Sequence, residues 1–362
     1  MKFQGKRRFF SLVLAVMMVL FMVGCSQSQS QSPDPDTQEL PPDSVNAAEP
    51  AGGDGKVEGS LLLYTSCTDW FVADVVEMFN EKYPDAHAEY FRSGTEEVVS
   101  KLMAENMTNS IQADVIMVSD APTFESLKAN DLLAVYESPM LANMYTEFAD
   151  PEHYYCGTFP GSMGIIYNTN LIESPPESWA DLLDPYLKGN IIMPNPLYSG
   201  TAANMLLEMV RAEGIGWEFY EGLLANDVMI VNGNGGVISS VTAGEIGVGI
   251  VFDADAYTAK SNGSPVEFVY PKEGSPATAD PIGILKTTKN PTAAQAFVDF
   301  MLSEEVQEYG RDANGRTPVI KSVPVLEGRV SLADRITLIS DAKELYAVRE
   351  EMKEQFKELF DL

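Results

Sequence analysis

From residue 59 onward the chain alternates short apolar runs with longer amphipathic ones, and this alternation restricts the available folds more than any other feature. Leu61–Tyr64 reads as a strand, Trp70–Tyr83 as a helix, Ala88–Phe91 as a strand, Glu96–Asn106 as a helix, Asp114–Val118 as a strand and Pro122–Lys128 as a helix. Parallel neighbours need a crossover of a dozen or more residues, which a helix supplies, so the pattern predicts a parallel sheet covered by helices. A second series follows. Gly164–Tyr167, Asn190–Met193, Val228–Val231 and Gly247–Phe252 read as strands, with helices over Trp179–Leu183, Thr201–Glu213, Trp217–Leu224 and Val237–Thr242. Two such series within 362 residues exceed what one core usually serves, which predicts two α/β lobes. Val266–Tyr270 and Pro281–Lys286 are again strand-like, and Ala293–Leu302, Glu304–Gly310 and Ala342–Leu359 are helical. Periodicity does not decide which lobe those late helices complete.

The first 24 residues stand apart from this pattern. Lys2, Lys6, Arg7 and Arg8 precede an uncharged apolar run from Phe9 to Val23, and Gly24 and Cys25 follow. The run is short for a bilayer span and has the basic, apolar and small-residue sections of an export signal. It resembles a bacterial lipoprotein signal over residues 1–24, with Cys25 lipidated as the first mature residue; Met22 stands where that pattern prefers Leu. Residues 25–58 carry Ser/Gln repeats, Pro33, Pro35, Pro41, Pro42 and three glycines without apolar periodicity, and read as a disordered tether. The chain has 24 basic and 53 acidic residues, a formal charge of −29, and loss of the signal leaves 20 against 53, or −33. Such a surface repels phosphate backbones, and no basic patch exists outside the first eight residues, so nucleic-acid binding is excluded. In an oxidising compartment Cys67 and Cys156 can pair or remain free thiols, and spacing alone does not choose.

Candidate binding residues collect where ligands of open α/β sheets sit, beyond the carboxyl ends of strands. Thr65 and Ser66 follow the first strand, Arg92, Ser93, Gly94 and Thr95 the second, and Ser119 the third; Ser199, Gly200 and Thr201 open the long helix of the second series. Backbone N–H groups, hydroxyls and one arginine make an anion cradle; each Ser or Thr alone reads better as an N-cap, and it is the four sites together, across two lobes, that favour binding. Asn232–Gly236 is a weaker glycine-rich candidate that lacks the Lys and Ser/Thr of a P-loop. Asp253 and Asp255 follow the last strand of the second series, either to hold hydroxyls or an ammonium group or as solvated caps of the next helix. Tyr64, Trp70, Tyr155 and Tyr198 can stack a ring or belong to the core. His87 and His153 lack metal-ligand spacing, no G-x-S-x-G elbow occurs, and no cofactor is called for.

The sequence resembles the solute-binding proteins of bacterial ABC importers, and more narrowly the type II periplasmic-binding group that includes ferric-ion, thiamine, phosphonate and hexose-phosphate binders. The resemblance is carried by Leu61–Ser66 with the helix to Tyr83 and Pro84, by Phe91–Thr95, Pro175–Leu183 with Trp179, Lys188–Pro196 and Ser199–Ala202. Gly244–Phe252 and Asn290–Leu302 leading to Gln307 extend it, so it covers residues 59–320. It implies an α/β fold of two lobes, each a central sheet flanked by helices, joined by crossing strands and closing on a ligand between them. The expected division is 59–155 plus 275–362 for the first lobe and 156–274 for the second, with the chain beginning and ending in the first. The implied function is that of a monomeric, non-enzymatic receptor delivering a small solute to an ABC permease and its ATPase. Its expected location is the outer face of the cell membrane, on the periplasmic side in a Gram-negative host, held by lipid on Cys25. Ferric binders of this group place adjacent tyrosines where this chain has Ala254 and Asp255, and often a histidine where it has Thr65–Cys67. The hydroxyl-rich Ser93–Thr95 and Ser199–Thr201 with Asp253 and Asp255 look more like a phosphorylated-sugar or phosphonate site. A ferric-ion or thiamine receptor is the alternative, and an exported hydrolase a distant one.

Overall fold

The computed structural model describes residues 56–362; the expected signal segment, Cys25 and most of the tether lie outside the described residues. In chain order the first elements are β1 (Gly59–Thr65), α1 (Asp69–Lys82), β2 (Ala86–Arg92), α2 (Thr95–Met107), β3 (Val115–Met117) and α3 (Ala121–Ala129). After β4 (Cys156–Gly157) come β5 (Gly161–Asn168), β6 (Ile191–Pro194), α4 (Gly200–Arg211), α5 (Gly216–Ala225), β7 (Met229–Val231) and α6 (Asn234–Thr242). The chain continues through β8 (Val248–Phe252), α7 (Asp253–Ser261), β9 (Val266–Val269), β10 (Ser275–Thr278), β11 (Pro281–Ile284), α8 (Pro291–Met301) and α9 (Glu304–Asn314). It ends with β12 (Thr337–Leu338) and α10 (Ala342–Phe360).

These strands form two sheets. The first has the order β2-β1-β3-β11-β4, and the second β12-β10-β5-β8-β6-β7 with β9 also paired to β5. The alternation of the sequence explains why both are buried on both faces. Leu61 and Leu63 of β1 pack into one cluster with Phe71, Val75 and Phe79 of α1, while Tyr64 packs into another with Val98, Phe124 and Leu127. Successive side chains of a strand point to opposite faces, so a helical layer on each face is needed to bury them. The second sheet repeats this, with Ile165 and Ile250 on one face and Ile166 and Val251 on the other.

The chain crosses between the sheets from β4 to β5 and back from β10 to β11. The two crossings run side by side, with the Thr158 N–H donating to Ala279 O at 2.7 Å and its hydroxyl to Asp280 O at 2.9 Å. Asp280 lies in this pair with φ of +39°, a region that Asp tolerates better than most residues.

Strand pairing divides the chain differently from the expected boundaries. β4 bonds to β11 in the first sheet, although the expected boundary places Cys156 in the second lobe; β10 and β12 pair in the second sheet, although that boundary places 275–362 in the first. The reason is that β10, with the sequence Ser-Pro-Ala-Thr, has no apolar alternation and is recruited as the partner of β5. Nor does the chain end wholly with the first lobe. Phe356 of α10 is fully buried in the second core, whereas the same helix packs along α3 of the first. Cys67 and Cys156 are buried free thiols, and burial pushes each up to about 12, so both stay protonated at neutral pH.

Candidate functional site

A cavity of about 360 Å³ lies where the carboxyl ends of β1, β2 and β3 meet the N-terminal ends of α4 and α6 and the first turns of α7. Nine of the expected residues line it: Ser66, Arg92, Gly94, Thr95, Ser119, Ser199, Gly200, Thr201 and Asp255. Three do not. The Thr65 hydroxyl is buried and accepts from the Cys67 N–H at 3.1 Å, and the Ser93 hydroxyl turns outward to donate to Glu97. Asp253 is enclosed behind the cavity and accepts from Arg329 at 2.6 Å, Arg335 at 2.7 Å and the Tyr270 hydroxyl at 2.8 Å.

The hydroxyls form two connected sets, one from each lobe, that face the same cavity. Thr95 Oγ1 donates to Ser66 Oγ at 3.0 Å, Ser66 and Ser119 lie 3.4 Å apart, Ser199 and Thr201 are 3.0 Å apart, and Asn234 Nδ2 donates to Thr201 Oγ1 at 3.1 Å. Among these side chains only Ser199 acts as an N-cap, accepting from the Ala202 N–H. The caps of α2 and α6 are Gly94 and Gly233, which offer no side-chain acceptor. The first N–H groups of those two helices therefore lack the side-chain partner that usually satisfies them, and with α4 they bring three positive helix ends to one cavity.

Gly94 and Gly200 permit that meeting. A Cβ on Gly94 would stand 2.5 Å from the Tyr198 ring, and one on Gly200 2.6 Å from Thr95 Oγ1. Backbone from the first lobe thus touches the second over the cavity, and the Glu96 N–H reaches Tyr198 O at 3.5 Å.

The other end of the cavity is built differently. Arg316, 5% exposed, donates to Asp280 Oδ2 at 2.9 Å and lies 4.4 Å over the Phe71 ring. Asn314 donates to Thr258 Oγ1 at 2.8 Å. Asp280 Oδ1 and Asn314 Oδ1 are left without a protein donor, although the two residues are 4% and 1% exposed. No described residue donates a hydrogen bond to Asp255. Burial, reinforced by the negative charges of Asp280 and Asp253 and opposed by Arg316 and Arg92, pushes its carboxyl up to about 6. Buried acceptors without donors cost free energy, and a ligand that donates to them recovers it.

Sequence reasoning did not single out Asp280, Asn314, Arg316 or Thr258 for this site. The Asn232–Gly236 run did contribute Gly233, Asn234 and Gly235, and of the four aromatic candidates Trp70 and Tyr198 line the cavity. Tyr64 is core, and Tyr155 donates to Glu125 beside a second cavity of about 510 Å³. That second cavity has a carboxylate-rich rim, but Asp150 and Glu208 there already hold Lys128 and Ser340. Among the described residues no group of three or more His, Cys, Asp or Glu is arranged to hold a metal ion.

The sequence pattern of the bacterial extracellular solute-binding proteins matches residues 110–338, which is more than half of the chain, and the protein belongs to that family. The chain is similar in structure to the periplasmic binding protein AfuA from Actinobacillus pleuropneumoniae, described with fructose 6-phosphate bound. The TM-score is 0.78 at 27% identity, covering 84% of this chain and 99% of the other. It is 28% identical over 239 residues to a putative 2-aminoethylphosphonate-binding periplasmic protein of Salmonella typhimurium, covering 62% of this chain and 68% of the relative. It is 23% identical over 307 residues to a putrescine/cadaverine-binding protein of Pseudomonas aeruginosa, covering 77% and 85%. The two sheets with their helices form the two-lobed fold of type II periplasmic binding proteins, and the chain is a solute-binding protein of the ABC-importer kind, a family whose members act outside the cytoplasm.

Proposed function

We propose that this protein captures a small phosphorylated organic solute, a sugar phosphate or a phosphonate, and passes it unchanged to an ABC permease and its ATPase. The observation that carries this reading is the convergence of three helix N-termini, two with glycine caps, on two hydrogen-bonded sets of Ser and Thr hydroxyls that line one cavity. A phosphoryl group offers several acceptors with negative charge, which suits free N–H groups, hydroxyls and the nearby Arg92. These contacts are short-ranged, so they hold an anion in spite of a strongly acidic exterior. At the opposite end, Asp255, Asp280 and Asn314 present acceptors, so the remainder of the solute carries donors, hydroxyl or ammonium. The names of the fructose-6-phosphate-bound structure and of the 2-aminoethylphosphonate relative support the same chemistry. We further propose that the receptor works as a monomer and, as the signal pattern of residues 1–25 supports, that it is tethered by lipid on Cys25 at the outer face of the membrane.

Thermal unfolding of the purified protein with fructose 6-phosphate, 2-aminoethylphosphonate, thiamine monophosphate, putrescine or ferric citrate tests this. A phosphoryl compound should raise the melting temperature; ligand at a thousandfold excess over its Kd stabilises by about 4 kcal/mol. Thr201→Val should remove that shift. A response confined to ferric citrate or putrescine overturns the substrate class, and turnover of a phosphate ester would instead favour the hydrolase.

A further inference from the structure

α10 touches both halves of the cradle. Its buried positions are Leu345, Arg349 and Phe356, so an arginine occupies its apolar stripe. Toward the second lobe Phe356 meets Tyr220 of α5 edge to face at 5.7 Å, Glu344 accepts from Arg211 of α4 at 2.7 Å, and Ser340 just before the helix donates twice to Glu208 of α4. Toward the first lobe the Arg349 Nη2 donates to Glu96 Oε1 at 2.5 Å, Thr123 Oγ1 at 3.2 Å and Asp120 Oδ2 at 3.3 Å. Lys353 adds a bond to Glu96 Oε2 at 2.7 Å.

The partners of Arg349 stand directly behind the cradle. Glu96 is the second residue of α2, next to the cavity residue Thr95. Asp120 caps α3 by accepting from the Thr123 N–H at 2.6 Å, and follows the cavity residue Ser119. One buried guanidinium therefore ties together two helix starts from the first lobe, and its own helix is anchored on α4, whose start forms the second-lobe half of the cradle. All three bonds leave Nη2, which the rigid guanidinium plane holds at the end of a side chain longer than that of Lys, and the charge cannot be lost at neutral pH.

We propose that Arg349 is the positioning residue of the site: it sets the first turns of α2 and α3 against α4, so that the hydroxyls and N–H groups of both lobes are in register before the solute arrives. Preorganisation of this kind lowers the ordering cost of binding. The proposal rests on the cleft reading above, but its structural half is independent of ligand identity.

The test compares the wild-type chain with Arg349→Met, Arg349→Lys, Glu96→Gln and Lys353→Met. Amide hydrogen exchange is measured without ligand, and calorimetric affinity with whichever of fructose 6-phosphate, 2-aminoethylphosphonate or putrescine the wild type binds. Arg349→Met should speed exchange locally at residues 98–101 and 123–126, the first hydrogen-bonded amides of α2 and α3, while β1 and α5 stay protected, and weaken affinity at least tenfold. Arg349→Lys should restore part of the affinity, Glu96→Gln should lose several-fold with the fold intact, and Lys353→Met should lose less. Unchanged exchange at both helix starts, or faster exchange spread through the second lobe, would overturn the positioning role. If the wild type binds none of the probes, the cleft reading fails while the exchange result still decides the role of Arg349.

Discussion

The first turn of α7 places two carboxylates, two residues apart, in opposite circumstances. Asp253 faces the inside of the fold. Burial alone would raise its carboxyl, yet Arg329 and Arg335, with bonds from Arg335 and Tyr270, hold it below the ordinary range. Asp255 faces the cavity, accepts no hydrogen bond from a described residue, and is pushed up to about 6. Residue type and helix dipole are the same for both, so neither explains the difference. The guanidinium groups arrive from residues 76 and 82 positions further along the chain and reach one carboxylate only. The fold supplies three donors to Oδ2 of Asp253, leaving only its Oδ1 without one, and supplies none to Asp255, which leaves Asp255 open to a ligand.

The largest effect that tests this contrast is on Asp253. Asp253→Ala leaves two arginines, each with a side chain only 2% exposed, without their shared counter-charge. Breaking one partner out of a buried charged cluster costs about 3–5 kcal/mol, and thermal unfolding should show a correspondingly large fall in midpoint. Solute binding measured well below that midpoint should survive. An unchanged midpoint would mean that the cluster contributes nothing to stability, and lost binding at low temperature would mean that Asp253 belongs to the site after all.

Asp255→Asn should act in the reverse direction. With a folded pKa of about 6 against the ordinary 3.8, the unfolded chain releases this proton first, so stability from this group falls as pH rises between those values. For Asp253 the sign is opposite: its stabilisation is present at neutral pH and lost as pH falls through its depressed folded pKa. The Asn variant should therefore match the wild type at pH values below about 3.8, and exceed it at pH 8 by about 1 kcal/mol, the figure being reduced for solvent screening of a half-buried group. The same variant should bind the phosphoryl probe more weakly, by about 1–2 kcal/mol. Melting curves across pH with and without probe read both effects. A variant less stable at pH 8 that binds as the wild type would place Asp255 among the structural groups.

Much of this contrast lay outside what local sequence can convey. Most strands and helices of both sheets were legible because they bury two faces or one stripe, while the short β4, β10 and β12 were not; the cradle turns were legible because glycine and hydroxyl residues gather at strand ends. Asp253 and Asp255 carried equivalent local signals; only the distant Arg329 and Arg335 separate them, and no periodicity announces such a pairing. Asp280 and Arg316 were missed for the same reason, one lying in a crossing segment and the other just past the left-handed Gly315 that ends α9. Arg349 is different. Spaced four residues after Leu345 and seven before Phe356, it falls on the buried stripe of a helix that was itself foreseen, and a charge in that position signals a paired interior group.

The smallest effect concerns a turn that repeats the division seen in α7. Ser93 and Thr95 flank Gly94, and their hydroxyls part: Thr95 is buried and donates into the cradle at Ser66, while Ser93 reaches outward to Glu97 on the exposed side of α2. An exposed serine–carboxylate bond contributes little, so Ser93→Ala should change stability by no more than about 0.5 kcal/mol and leave the probe-induced shift in melting temperature as it was. Thr95→Val, at nearly constant volume, removes a hydroxyl that lines the cavity and should weaken the probe by about 1 kcal/mol. Equal losses from the two substitutions would show that the turn acts as a whole and that hydroxyl direction does not matter. Unequal losses in the expected order would show that the same rule holds at both ends of the cavity: side chains whose partners the fold supplies set stability, and those turned to the cavity set affinity.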